Sequence, residues 1–242
     1  MGTEKKVVVR QTREQRVGAI LEAARMNFSE RGYESATMAS IAAQAGVVEG
    51  SVYKYFESKR ELLLKVIETW YQDLVEHFAR GLPGIKGTRN RLRFLVWQHL
   101  ANIRRDAQLS RLMFQEVRLK DDYYRSPMHS MNIRYTEFLL DVVREGVANG
   151  DLRDDVAPAL VRDMVFGAIE HHTWNFLCGR GTLEVDRIAD QIADIVFNGV
   201  RVQADLDRAV LTDLRRETVR LAGIARQFER VGPRPTAVKG RA

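Results

Sequence analysis

Thr37-Met38-Ala39-Ser40-Ile41-Ala42-Ala43-Gln44-Ala45-Gly46-Val47-Val48-Glu49-Gly50-Ser51-Val52-Tyr53-Lys54-Tyr55-Phe56 decides the fold. Met38, Ile41, Ala42 and Ala45 recur at helical spacing, which predicts a short helix with one apolar face. Gly46 stands where a helix ends and glycine tolerates the left-handed backbone of a tight turn. A second short helix then runs from about Glu49 to Phe56 and turns Val52 and Phe56 inward. Small Ala42 and Ala45 permit close crossing, and Ile41, Val47, Val52 and Phe56 share a miniature core. The two elements therefore read as a helix-turn-helix over 37–56.

Working outward, a supporting helix begins near Thr12, with Gln15 three residues on as in a capping box. Val17, Ile20, Leu21, Ala24 and Phe28 give it one apolar face, and Gly32 is expected to stop it. Ser58 and Glu61 repeat the capping-box spacing and open a long helix through Leu62, Leu63, Val66, Ile67, Trp70 and Leu74. Leu82-Pro83-Gly84 and Lys86-Gly87-Thr88 predict a loop. Further helices are expected over 89–104, 107–120, 127–149, 156–178 and 184–204, and again over 207–230. Ser126 before Pro127 is a cap with proline at the first helical position. Strand patterning is almost absent, so the fold class is all-α. An N-terminal three-helix unit over 12–74 precedes a helical body over 75–204. A basic flexible arm over 1–11 leads, and a helical extension with a disordered tail covers 205–242.

The 242 residues carry 38 Lys and Arg against 32 Asp and Glu, a formal +6. The distribution says more than the total. The middle, 76–200, balances seventeen against seventeen, and the first 75 residues carry eleven bases against ten acids. Residues 201–242 hold ten bases against five acids, so bulk charge does not by itself mark the front as a nucleic-acid domain. The leading arm is a plausible backbone contact or a solvated terminus. No apolar run is long enough for a membrane helix, and Val7-Val8-Val9 is too short for a signal-peptide core. One cysteine, Cys178, forms no internal disulfide. The expectation is a cytoplasmic protein with no membrane association and no cofactor.

A helix-turn-helix of this shape suits DNA, because the major groove admits one helix while its neighbour crosses the backbone. Glu49, Ser51, Lys54 and Tyr55 fall on the outer side of the second helix and suit base edges and phosphates. Tyr53 and Tyr55 also have a plain reading as surface tyrosines. Glu49 repels the backbone yet accepts from cytosine N4, so base reading and helix capping both stand. Lys59 sits at a helix start, where the dipole disfavours a cation unless a phosphate completes the site.

The run Gly32-Tyr33-Glu34-Ser35-Ala36-Thr37-Met38-Ala39-Ser40-Ile41-Ala42, with Ala45-Gly46-Val47, Gly50 through Phe56 and Ser58 through Leu63, resembles the signature of the TetR/AcrR family of bacterial transcriptional regulators. That resemblance implies that Thr37, Tyr53, Tyr55 and Lys59 hold phosphates of a double-stranded DNA operator. It places Glu49, Gly50, Ser51 and Lys54 nearest the bases. Two positions depart from the pattern. Val48 stands where the family often has the Ser or Thr that caps the recognition helix, and Ala36 where it often has Thr. For the body, the resemblance implies a small-molecule chamber and a homodimer formed by its last two helices, a repressor being the family default.

Aromatic, methionine and polar residues supply chamber candidates: Trp70, Phe94, Trp97, Phe114, Arg118, Tyr135, Met164 and His171. Phe78, Leu100, Met113, Phe138 and Phe166 belong to the same apolar material, and His99, Gln115, Asn132 and Asn175 are its embedded polar groups. The stretch Glu145-Gly146 through Leu152, with Met164 through Glu170 and Trp174, is similar to fatty-acid-degradation regulators that respond to acyl-CoA. Val165, Gly167, Ala168, Ile188, Ile192, Ile195, Val196 and Gly199 permit a tight four-helix dimer contact. Catalysis is not expected: His171-His172 beside Glu170 lacks metal-ligand spacing, since adjacent helical residues point about 100° apart. Gly179-Arg180-Gly181 follows no strand and is no phosphate loop. A helical adaptor that retains a degenerate DNA head is the rival reading.

Overall fold

The structure, a computed structural model, describes residues 12–202 and 206–230. The expected arm over 1–11 and the tail beyond 230 lie outside the described residues. The elements are α1 (Arg13–Ser35), α2 (Met38–Gln44), α3 (Glu49–Tyr53), α4 (Lys59–Gly81), α5 (Thr88–Arg105), α6 (Ala107–Leu112), α7 (Pro127–Ala148), α8 (Pro158–Leu177), α9 (Val185–Val200) and α10 (Leu206–Arg230). A π-helical turn, Met113–Arg118, continues α6. No strand occurs among the described residues.

Local capping chemistry sets the starts. Thr12 Oγ1 accepts from Gln15 N at 3.2 Å, and Thr12 N donates to the Gln15 side chain at 2.9 Å. Ser58 Oγ accepts from Glu61 N at 3.1 Å, but the Glu61 carboxylate accepts from Glu57 N rather than from Ser58. The second box is thus displaced by one residue on its carboxylate side. Gly32, at φ 75° and ψ 169°, breaks the helical backbone of α1 where the sequence expects a stop, and a short helical stretch follows to Ser35. Helix α3 is shorter than expected and ends at Tyr53, because the chain turns there to bury Phe56.

Residues 12–200 share one core. Ile20, Phe28, Ile41, Val52, Leu62 and Leu63 fill the head, and Ile67, Phe78, Leu92, Leu100, Tyr135 and Ile169 continue it into the body. Burying such side chains stabilises by about 1.5–3 kcal/mol each. Helices α5 and α9 pack antiparallel with a polar ladder along the seam. Arg89 bonds Asp194 at 2.6 Å, Arg93 bonds Asp190 at 2.5 Å, and Trp97 Nε1 donates to Asp186 at 2.7 Å. One rung falls on each turn of α5, so the ladder fixes register more than it stabilises. Gly81 lets Phe94 approach α4, since a Cβ there would meet the Phe94 ring at 2.5 Å.

Residues 201–242 form a separate unit. Its helix α10 carries an i,i+3 ion pair between Asp213 and Arg216, with Leu211, Leu214 and Leu221 exposed. No helix among the described residues is long and apolar enough to cross a membrane.

Candidate DNA-reading head and effector chamber

Thr37 caps α2: its Oγ1 accepts from Ser40 N at 3.0 Å, and Ser40 Oγ accepts from Thr37 N at 3.1 Å. Ser40 Oγ also donates to Asn27 Oδ1 at 2.8 Å, and Asn27 Nδ2 donates to Gln44. Asn27, 1% exposed on α1, therefore holds both ends of α2 from within. Sequence reading misses it because an Asn inside an apolar helical face gives no local sign of its distant partners. Gly46 adopts a φ of 68° and supplies the turn into α3.

Helix α3 turns Val52 inward and leaves Glu49, Gly50, Tyr53 and Lys54 exposed, with Ser51 half-buried. Val48 gives the helix start no side-chain cap. Neither Glu49 nor Ser51 takes over that role, so free N–H groups of the first turn stay open to an acceptor from outside. Tyr55 is half-buried, with the Arg13 guanidinium 5.9 Å from its ring centre. Lys59 lies differently from the expectation. Its Nζ donates to the carbonyls of Tyr33 at 2.7 Å and Glu34 at 3.2 Å, and stands 4.4 Å from the Tyr33 ring centre. The C-terminal carbonyls of α1 thus complete the site expected to need a phosphate, and they favour a cation. One ammonium proton remains for an outside acceptor.

Behind the head lies a cavity of about 290 Å³. Trp70 and Tyr71 of α4, His99 and Ile103 of α5, Ser110 of α6, and Met113, Phe114 and Arg118 of the π-turn line it on one side. Asn132, Tyr135 and Thr136 of α7, with Arg162, Asp163, Phe166 and Glu170 of α8, close the other. Trp70, Phe114, Arg118 and Tyr135 come together around this cavity. The other four candidates lie elsewhere. Phe94 packs over Gly81 and Phe78, and Trp97 belongs to the ladder with Asp186. Met164 and His171 are exposed on α8. Gln115 and Asn175 are likewise exposed and line no part of the cavity. Tyr71, Ser110 and Thr136 are chamber residues the sequence does not single out, since their spacing is that of any core-facing helix.

The cavity has a charged rim and an uncharged interior. At the rim Arg118 pairs with Glu170 at 3.0 Å and lies over the Phe114 ring, and Arg162 pairs with Asp163 at 2.8 Å. Inside, Tyr71 OH donates to Asn132 Oδ1 at 3.4 Å, and Tyr135 OH meets His99 Nδ1 at 2.7 Å. Burial, with a smaller contribution from Arg118, pushes the His99 imidazolium down to a pKa of about 4. Burial also raises both tyrosines well above their ordinary range. Histidine and phenols are therefore neutral at pH 7, fit for hydrogen bonding rather than ion pairing.

Helix α4 joins chamber to head. Arg60, in its first turn, donates to the Glu116 carbonyl of the π-turn at 3.0 Å and to both Asp122 oxygens at 2.9 and 3.0 Å. Three turns further along, the same helix contributes Trp70 and Tyr71 to the chamber.

The family model for bacterial regulatory proteins of the tetR family matches residues 20–66, and that for the tetracyclin repressor-like C-terminal domain matches 86–200. The fatty acid metabolism regulator protein of Bacillus subtilis is 21% identical over 181 residues, 75% of this chain and 93% of that protein. The transcriptional repressor KstR2 of Mycobacterium tuberculosis is 28% identical over 197 residues, 76% of this chain and 92% of that one. Among solved structures, the regulator FadR of Bacillus subtilis in complex with stearoyl-CoA superposes with a TM-score of 0.68 at 21% identity, covering 75% of this chain and 98% of that one. A matched DNA-reading head and a matched effector-type body, both on one chain and around the geometry above, have a single meaning: the chain belongs to the TetR family and is a ligand-responsive, DNA-binding transcriptional regulator.

Proposed function

We propose that the chain is a cytoplasmic homodimeric repressor released from a palindromic operator by an apolar effector with an anionic end, an acyl thioester being the leading class. The observation that carries this reading is α4, which begins at the DNA-reading head with Lys59 and Arg60 and lines the chamber with Trp70 and Tyr71. Thr37, Tyr53, Tyr55 and the remaining proton of Lys59 contact phosphates, while Glu49, Gly50, Ser51 and Lys54 face the bases. Met164, Gly167, Ala168, His171 and Trp174 form an exposed stripe on α8, and Gln191, Ile195 and Gly199 form one on α9. Those stripes suit a two-fold four-helix contact that sets the two α3 helices about one DNA turn, roughly 34–36 Å, apart. Val165, Ile188 and Val196 are buried within the chain and support that face from behind.

An anionic group arriving at the rim competes with Glu170 for Arg118, while the apolar part enters between Phe114 and Phe166. The FadR of Bacillus subtilis bound to stearoyl-CoA is the precedent for a thioester. Here about 290 Å³ lies at the small end of the usual range of roughly 300–1,000 Å³, which favours a shorter or more compact acyl group. The test is fluorescence anisotropy of DNA selected from a random pool, titrated with decanoyl-CoA and with CoA alone. Decanoyl-CoA releases the DNA and CoA does not. Intact complexes at saturating decanoyl-CoA reject the thioester reading, and no salt-dependent binding to any DNA leaves the adaptor reading instead.

Release requires the effector to bind the two head arrangements with different affinity. Arg60 links α4 to the π-turn that carries Met113, Phe114 and Arg118, so Arg60→Ala reduces coupling rather than binding. The ratio of operator affinities without and with effector shrinks at least threefold, and effector affinity without DNA stays within twofold. By linkage, the operator's effect on effector affinity shrinks by the same factor. A variant with an unchanged ratio excludes Arg60 from the route.

A further inference from the structure

Ser110 is 3% exposed, and its hydroxyl has no hydrogen-bond partner. A helical serine ordinarily satisfies itself on the carbonyl four residues back. Here the Asp106 carbonyl accepts the Ser110 backbone N–H at 2.9 Å, and the side chain goes unpaired. An unsatisfied buried hydroxyl is unfavourable for the free protein, and alanine at that position would remove the cost. Five buried side-chain atoms among the described residues lack partners, belonging to Arg91, Asn102, Ser110, Arg111 and Tyr123. Of these residues, only Ser110 lines the chamber.

His99, on α5 along the same wall of the cavity, makes the same point. Its Nδ1 is engaged by Tyr135 OH at 2.7 Å. With that phenol donating, the single proton of the neutral ring sits on Nε2, as a donor. A saturated alkyl tail offers neither group anything: it would seal a serine O–H and an imidazole N–H against hydrocarbon. Trp70, Phe114, Tyr135 and Phe166 also give the wall flat aromatic faces suited to rings.

Accepting the chamber as the effector site proposed above, we infer that the natural effector carries a neutral oxygen acceptor, a ketone or a hydroxyl, on its buried apolar body, paired with Ser110 and His99. This inference concerns the deep end of the ligand. The anionic end at Arg118 belongs to the earlier reading, and the two are separable by experiment. A site built to bond an oxygen discriminates strongly against the analogue that lacks it, whereas a purely apolar pocket gains from the more hydrophobic compound. The sign of the preference therefore decides.

The experiment is a ligand-observed NMR titration of the full chain, free of DNA, with 2-tetralone and with tetralin. These probes share a ring skeleton, differ by one carbonyl and carry no anionic end. The ketone binds at least tenfold more tightly to the parent chain. Ser110→Ala brings the ketone down to within threefold of the hydrocarbon and leaves tetralin affinity within twofold. Its melting temperature is equal to or above the parent's, which a purely structural serine would not give. His99→Phe, which keeps an aromatic ring against Tyr135 and Phe166, reduces the same preference. Tighter binding of tetralin, equal binding of both, binding of neither, or a preference that survives Ser110→Ala overturns the inference. Decanoyl-CoA release from operator is scored separately, so a failed thioester reading and a failed oxygen reading give different results.

Discussion

Replacing Tyr53 and Lys54 together by alanine lowers operator affinity at least a hundredfold while the fold survives. Both side chains are exposed on the recognition helix, where Val52 and Phe56 alone face the core. Substitutions at such positions usually change stability by no more than about 0.5 kcal/mol. Hydrogen bonds to charged groups contribute about 1.5–3 kcal/mol each, and a two-fold dimer loses every contact twice. The effect is therefore large even if one of the two side chains contributes little. Tyr53 lies at a phosphate, which carries no sequence information, while Lys54 lies nearest the bases, so the loss is larger on matched than on mismatched DNA. Because Tyr53 is uncharged and Lys54 faces the bases, the slope of log affinity against log salt changes by less than the roughly 0.9 per phosphate that loss of a phosphate-bound lysine removes. Anisotropy titrations at several salt concentrations, paired with a melting curve, read all three quantities. Unchanged affinity in a folded variant would remove α3 from the interface. Lys59→Ala behaves differently, because its ammonium holds the Tyr33 and Glu34 carbonyls: the melting temperature falls along with DNA binding.

How far such a head can be read in advance depends on how local its chemistry is. Thr12 with Gln15, Thr37, Gly46 and Ser58 act on atoms within four residues of themselves, and their roles follow from spacing. The head's family signature is legible for the same reason. Lys59 is the contrary case: the carbonyls that take its charge lie 25 and 26 residues away, and only the folded chain reveals them. The chamber was half legible. Trp70, Phe114, Arg118 and Tyr135 fall where an inward helix face puts them. Trp97 and Phe94 look equally inward by periodicity, yet α5 packs against α9 as well as α4, so its apolar surface serves two seams. Helix α8 carries apolar residues on more than one face, with Val165 and Ile169 buried and Met164 and Trp174 exposed. No period separates a chamber wall from an outward face on such a helix. The π-turn and the Arg60 fork on Asp122, 62 residues apart, have no signal in spacing at all.

The stability of the chain falls between pH 6.5 and 4 in a step that belongs to His99. The imidazole sits among Tyr135, Phe166 and the rim guanidinium of Arg118, and its pKa drops from 6.5 to about 4, chiefly by burial. Between these values the unfolded chain binds a proton that the folded chain refuses. Stability is therefore fully present above about pH 6.5, declines as pH falls through the window, and levels off below about 4. A pKa difference of this size corresponds to at most about 3.5 kcal/mol, at roughly 1.4 kcal/mol per unit. The carboxylates held low by arginines, Glu22, Glu145, Asp155 and Asp190, begin to lose their contributions only as pH falls into the ordinary carboxylate range, so the decline above about pH 5 is free of them. Urea denaturation at half-unit pH intervals gives the curve. In His99→Phe the decline between pH 6.5 and 5 is nearly abolished, while the acid step below 4.5 remains. A decline that persists in that variant would assign the protons elsewhere and leave His99 outside the unprotonated interior described above. A ligand engaging the neutral ring adds a stability increment set by its affinity for the folded chain alone, so that increment holds constant from neutral pH down towards the folded pKa. The increment shrinks only near pH 4, where the folded imidazole itself takes up a proton.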